Sequence, residues 1–177
     1  MHRQRREEIN NLAENIRQTL NLQTPINIRE VIQRLGGHIE AVEVIDNNPE
    51  IDARIIRNND EMFTIQIQEN SFQRRENFSL AHEVGHLFVH MGYLINDNLW
   101  NNLEDGQYMD RFGYSEDEYE ANEFAGAFLM PREEFERIAM QNRNGDFFDV
   151  EAIANHFNVS KETVKVRGAF LELFSWS

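Results

Sequence analysis

The chain has no cysteine. That excludes a disulfide framework and a thiolate-held metal cluster, so any metal site has to be assembled from His, Asp and Glu, a donor set that suits a hard or borderline ion such as zinc. Long apolar runs are missing too. The opening residues MHRQRREEINNLAENIRQTL are basic but contain no apolar stretch, and nowhere does the sequence reach the length of a membrane span. No secretory signal or membrane anchor is expected, and the chain reads as a soluble cytoplasmic protein. Positive charge is also scarce: 17 Lys and Arg stand against 31 Asp and Glu, a net charge of -14. Nucleic-acid affinity rests largely on cations facing phosphates, so direct contact with a polyanion over a broad surface is not expected. Much of the acidity lies between Glu104 and Glu136, while Arg3, Arg5 and Arg6 open the chain; both read as solvated surface.

What is present suffices for one core, with 41% hydrophobic residues in 177. No internal repeat, low-complexity tract or convincing linker divides it. Residues 1–177 are therefore read as a single domain, with a helical and strand part over 1–70, a chemistry-bearing part over 71–131 and a C-terminal helical segment over 132–177. Ile9, Leu12, Ala13, Ile16 and Leu20 recur at helical spacing, which predicts an amphipathic helix over 5–20. A shorter helix follows from Ile28 to Leu35, with Asn27 and Glu30 placed as a capping pair and Gly36-Gly37 as its stop. The segments HIEAVEVI, IDARIIR and MFTIQIQ then predict a small antiparallel three-stranded sheet. In the last of them Phe63, Ile65 and Ile67 would face the core, and an exposed edge could accept a peptide by strand addition. From Ser71 the pattern is helical, broken by a long polar stretch from Gly92 to Gly113 of a kind that is usually functional or mobile. Later helices are predicted at 115–130, 132–142, 149–157 and 160–173.

The chemistry is concentrated in SLAHEVGHLFVH. On a helix, His82 and His86 differ by about 40° in direction and about 6 Å in height, so both imidazoles can reach one ion. Glu83 is placed to take a proton from a water on that ion, the arrangement of a zinc hydrolase. The motif is short enough to arise by chance, so its neighbours matter. Phe78, Ala81, Leu87 and Phe88 supply the apolar flanks of a buried helix, and Gly85 would let another element approach closely.

A catalytic zinc takes three protein ligands and keeps one position open, so a third ligand must come from elsewhere. Glu116, Asp117, Glu118, Glu120 and Glu123 in SEDEYEANEFAGAFLMP are all available, and spacing does not choose among them. A competing reading gives Glu118 to a capping box with Ser115. His90 extends the histidine series, but at about 12 Å along the helix from His82 it is too far to share a tetrahedral ion, and it reads as a surface residue or an outer partner of the site. Tyr93, Tyr108, Tyr114, His90 and His156 are conceivable donors to a developing oxyanion.

Taken together, RRENFSLAHEVGHLFVH and EYEANEFAGAFLMP resemble the ImmA/IrrE family of bacterial and phage metallopeptidases. The resemblance implies a zincin-like minimal α+β metallopeptidase domain: N-terminal helices, the small sheet, an active-site helix and a C-terminal helical bundle. It implies Zn2+ held by His82, His86 and Glu118, Glu83 as general base, and Asn122 orienting a metal-binding histidine; Glu120 is the substitute third ligand, which a helix start displaced by two residues would favour. Zinc would activate a water and polarise the scissile carbonyl, while Glu83 takes the proton and passes it to the leaving amine. The implied substrate is a helix-turn-helix repressor of a phage, mobile element or stress-response locus. Two rivals stand beside this reading: a non-hydrolytic protein that binds a repressor or antitoxin-like partner, and a DNA-binding regulator. With 177 residues there is little room for a fused sensor domain, so regulation would come from outside the chain. The segment VEAIANHFNVSKETVKVRGAFLEL resembles a helix-turn-helix, with Ala154, Phe157, Val159 and Val164 packing and Ser160 capping. Only Lys161, Lys165 and Arg167 are basic there, so packing is favoured over DNA reading.

Overall fold

A computed structural model of the chain describes residues 2–58, 62–69, 73–108 and 115–174. Helix α1 (Arg3–Thr19) buries Ile9 and Ala13, and α2 (Ile28–Arg34) begins where the Asn27 side chain accepts from Glu30 N. The chain leaves α2 through Gly36 at φ +85°, a left-handed conformation that glycine adopts without strain. Three strands follow: β1 (His38–Val42), β2 (Ala53–Arg57) and β3 (Phe63–Gln68). In β2 and β3 every second residue is buried, and Ala53, Ile55, Phe63, Ile65 and Ile67 form the inner face.

The sheet is mixed, in the order β1-β3-β2, whereas the sequence predicts three antiparallel strands. β2 and β3 pair antiparallel, with Ile55 opposite Ile65, but β1 lies parallel to β3, with Ile39 opposite Ile65. Residues 43–52 are the reason. They form a turn with a bridge between Ile45 and Asn48 and carry the chain past the position that β3 later fills. The most regularly apolar strand thus takes the centre, where it is buried best.

Helix α3 (Gln73–Gly85) packs on the inner face of the sheet and runs into a π-helical turn, His86–His90, in which Met91 N donates to His86 O at 2.9 Å. In the predicted polar stretch the described residues are anchored rather than loose. They contain α4 (Asp97–Asn101), whose buried Trp100 meets Tyr93 edge-on at 4.8 Å between ring centroids. Residues 106–108 bridge to β2 through Gly106 N to Arg57 O, Arg57 N to Gln107 O and an Ile56–Tyr108 bridge. Helix α5 (Glu116–Leu129) crosses both α1 and α3. Then come α6 (Arg132–Gln141), a two-residue hairpin of β4 (Arg143–Asn144) and β5 (Phe147–Phe148) that the sequence reading omits, α7 (Val150–Phe157) and α8 (Lys161–Phe170). Eight α-helices and the small mixed sheet, among the described residues, make the fold α+β. One apolar cluster, from Ile9 to Leu171, joins these elements.

Candidate metal centre

The site forms where α3 and α5 approach most closely. A Cβ added at Gly85 would stand 3.0 Å from Ala121 O and 3.1 Å from Ala121 Cα, both backbone atoms that cannot give way. Glycine at this position therefore sets the spacing of the helices. Leu80, Ala81, Val84 and Leu87 are fully buried and fix the rotation of α3. That rotation turns His82 and His86 toward the first turns of α5.

The atoms that meet there form a small triangle. His82 Nε2 and His86 Nε2 are 3.0 Å apart, His86 Nε2 is 3.1 Å from Glu118 Oε1, and His82 Nε2 is 3.3 Å from Glu118 Oε2. A tetrahedral zinc with bonds of about 2.0 Å separates its ligand atoms by about 3.3 Å, and each of these three spacings, with each imidazole facing a different carboxylate oxygen, is close to that. Its chemistry fits as well. His82 Nδ1 lies 2.9 Å from Asn122 Oδ1. A carbonyl oxygen can only accept, so Nδ1 is the donor and the neutral ring presents its Nε2 lone pair to the triangle. Burial alone would raise the Glu118 carboxyl, but without a cation between them a protonated His82 or His86 donates to it from Nε2, and those hydrogen bonds and that charge hold it well below the usual carboxylate range. Two imidazoles and a carboxylate thus converge as a group that could hold a metal ion. Glu83, only 2% exposed, is the next residue along α3 from His82.

The five acidic candidates separate by partner. Ser115 Oγ accepts from Glu118 N at 3.3 Å, so the serine half of the capping box exists while the Glu118 carboxylate faces the histidines. Glu120 is bound in a fork by Arg5, at 2.8 and 2.6 Å. Asp117 lies 3.7 Å from His90, Glu123 accepts from Arg167 and Asn10, and Glu116 is exposed. Arg5 and Arg6, read from sequence as solvated surface, instead tie α1 to α5, Arg6 Nε lying 3.4 Å from Glu123 Oε2. The pairing spans more than a hundred positions, which no local pattern announces.

The conceivable oxyanion donors are mostly engaged elsewhere. Tyr93 donates to Leu35 O at 2.6 Å, Tyr108 lies under Arg54 at 4.0 Å, and His156 Nε2 is 2.9 Å from Glu134 Oε1. Tyr114 is outside the described residues. His90 is at the site: its Nδ1 is 3.0 Å from His86 Nδ1, and its Nε2 faces Glu120 Oε2 at 3.4 Å. Burial, reinforced by His86, pushes the His90 imidazole below its ordinary value, against the pull of Asp117 and Glu120.

In the C-terminal segment, Ser160 Oγ accepts from Thr163 N, and Ala154, Phe157, Val159 and Val164 are buried. Arg167 is 2% exposed and bonded to Glu123, Asn10 and Met130 O. Burial pulls its guanidinium down to about 10, with Glu123 opposing. Lys161 pairs with Glu151 and Lys165 with Glu162.

A helix-borne histidine pair and a glutamate from a second, closely packed helix, set on a small sheet, define a candidate metal-binding domain. The chain belongs to the IrrE N-terminal-like domain family (Peptidase_M78), whose profile matches residues 46–168. Among solved structures it is similar to a transcriptional regulator from Mycobacterium tuberculosis, at 24% identity and a TM-score of 0.58 over 91% of this chain. The match covers 46% of that protein, so the chain spans about half its length. A comparison with curated proteins returned no match. No described helix is long and apolar enough to cross a membrane.

Proposed function

We propose that the chain is a zinc-dependent endopeptidase that cleaves a helix-turn-helix repressor of a phage, mobile element or stress-response locus. The observation that carries the reading is the convergence of His82 Nε2, His86 Nε2 and Glu118 within hydrogen-bonding distance of one another, with Asn122 fixing the His82 ring. Zinc held there supplies Lewis-acid polarisation of the scissile carbonyl and acidifies a water. Glu83, buried and next in sequence to His82, would accept the proton of the attacking water and return it to the leaving amine. Glu118, kept ionised, contributes the anionic ligand, and Asn122 keeps His82 in the tautomer that can bind metal. The repressor substrate rests on the family resemblance. The burial of Arg167 and the pairing of Lys161 and Lys165 support a packing role for α8 rather than a duplex-binding one.

The test is incubation of the zinc-loaded chain with the helix-turn-helix protein encoded beside it, comparing wild type with Glu83→Gln. The variant should retain zinc and lose hydrolysis by about 10²- to 10⁴-fold. Equal cleavage by both rejects Glu83 as the base. Stoichiometric binding without cleavage by either form replaces the peptidase with a repressor-binding protein of the same fold.

A further inference from the structure

Behind His86, on the side away from the triangle, lies a line of polar groups that the proposed chemistry does not use. His86 Nδ1 meets His90 Nδ1 at 3.0 Å, His90 Nε2 faces Glu120 Oε2 at 3.4 Å, and Glu120 is gripped by Arg5 through both carboxylate oxygens. The i,i+4 spacing within the π-helical turn brings the two rings together. His90 stands beside His86 with ring centroids 5.0 Å apart, as His86 stands beside His82 at 4.7 Å. His90 Nε2 is buried and has no partner in good hydrogen-bond geometry, and the acceptors it faces are Glu120 and Asp117.

The placement of the protons follows from one end. Arg5 is a permanent donor, so Glu120 is an acceptor, and an N–H is favoured on the His90 nitrogen that faces Glu120. A neutral His90 with its proton on Nε2 has an acceptor at Nδ1. His86 Nδ1 must then donate to it, which leaves the His86 Nε2 lone pair aimed at His82 and Glu118.

We infer that His90 is a positioning residue for the metal centre: its Nε2 faces the Glu120 carboxylate that Arg5 anchors, and its Nδ1 fixes His86 in the Nδ1–H tautomer, as Asn122 does for His82. The inference rests on the metal-site reading above and adds that α1, which lies outside the matched residues 46–168, takes part in building the site through Arg5. The two histidines are thus oriented by different devices, an amide on α5 for one and a buttressed imidazole for the other.

The experiment has one readout without metal and one with it. In the metal-free protein, long-range nitrogen-15 to proton correlations report imidazole tautomers; His86 should be Nδ1–H in wild type and shift toward Nε2–H in His90→Leu. In a chelator competition, His90→Leu should weaken zinc binding about 10- to 100-fold, the usual cost of losing an outer partner of a ligand. His90→Asn puts a carbonyl oxygen where the ring Nδ1 stands and should recover most of the affinity; a merely space-filling role predicts no such rescue. Thermal melts of the metal-free variants establish that they are folded. A wild-type His86 already in the Nε2–H form, or zinc affinity equal in wild type and His90→Leu, overturns the inference while leaving the metal site standing. If wild type binds no zinc, the metal reading fails and the inference falls with it.

Discussion

Two clusters of buried polar side chains hang on α5, and they differ in what their atoms face. Glu123 is an acid met by donors: Arg167 Nη1 at 3.2 Å and Asn10 Nδ2 at 2.6 Å, with Arg6 close by. Around Glu118 the neighbours are His82 Nε2 and His86 Nε2, atoms that carry lone pairs when the rings take the tautomers their other nitrogens favour. The first cluster satisfies its charges from within the chain and holds α1, α5 and α8 together. The second gathers electron-pair donors at one point, an arrangement that gains stability only when a cation joins it. Acidic residues five apart on one helix thus do opposite work, and the nature of the facing atoms tells them apart.

The contrast breaks most visibly at Arg167. Replacing it with Met leaves the buried Glu123 with only the more exposed Arg6 as a cation, which should cost up to about 3 kcal/mol of stability, read as a lower denaturation midpoint of the metal-free protein. Zinc affinity of the molecules that remain folded should not change. Glu118→Gln should do the reverse, sparing metal-free stability and removing zinc binding. Two variants that both unfold the protein and spare the metal would erase the distinction.

The next effect in size is that of zinc itself. At free zinc 100-fold above its dissociation constant, binding to the folded state alone should add about 2.7 kcal/mol, visible as a rise in melting temperature. His86→Ala should abolish that rise while shifting the metal-free melt far less than Arg167→Met does. Below this comes Asn122→Ala. The side chain touches His82 from outside the triangle, so zinc affinity should fall about 10- to 100-fold without loss of the site. Calorimetric titration would measure both, and an unchanged affinity in Asn122→Ala would mean that His82 keeps its tautomer unaided.

Local rules carried much of this into the sequence. Helix starts at Asn27, Ser115 and Ser160 are capped by their own side chains, and the alternation in β3 is the alternation of its burial. The spacing of His82 and His86 likewise needs only helix geometry. What escaped was set by distant partners. The parallel pairing of β1 depends on a connection whose path no periodicity records. The turn at His86–His90 winds as π rather than α without any breaker residue in HLFVH. Arg5 reads as a surface cation because its partner Glu120 lies 115 residues away, and nothing local announces that Arg167 pairs with Glu123, 44 residues away. Glu118 and Glu120, both near the start of one helix, could be separated only by knowing that Arg5 claims the second.

The smallest effect tests whether a routine helix cap serves the site. Ser115 and Ser160 perform the same task, each accepting a backbone N–H three residues on, at 3.3 Å from Glu118 N and 3.1 Å from Thr163 N. Replacing either with Ala should cost about 1 kcal/mol. The consequences should nevertheless differ. The turn that Ser115 closes carries Glu118, so fraying it adds an ordering cost to metal binding, and Ser115→Ala should weaken zinc by up to about tenfold, since 1.4 kcal/mol corresponds to a factor of ten. The turn that Ser160 closes carries Thr163 in α8, outside the histidine and glutamate triangle, and Ser160→Ala should leave zinc affinity where it was. Denaturant melts paired with zinc titrations on the two variants would decide it: equal stability losses with unequal zinc losses are expected, and equal zinc losses would mean that the first turn of α5 is held in place by its packing on α3 and α1, with the cap contributing nothing to the position of Glu118.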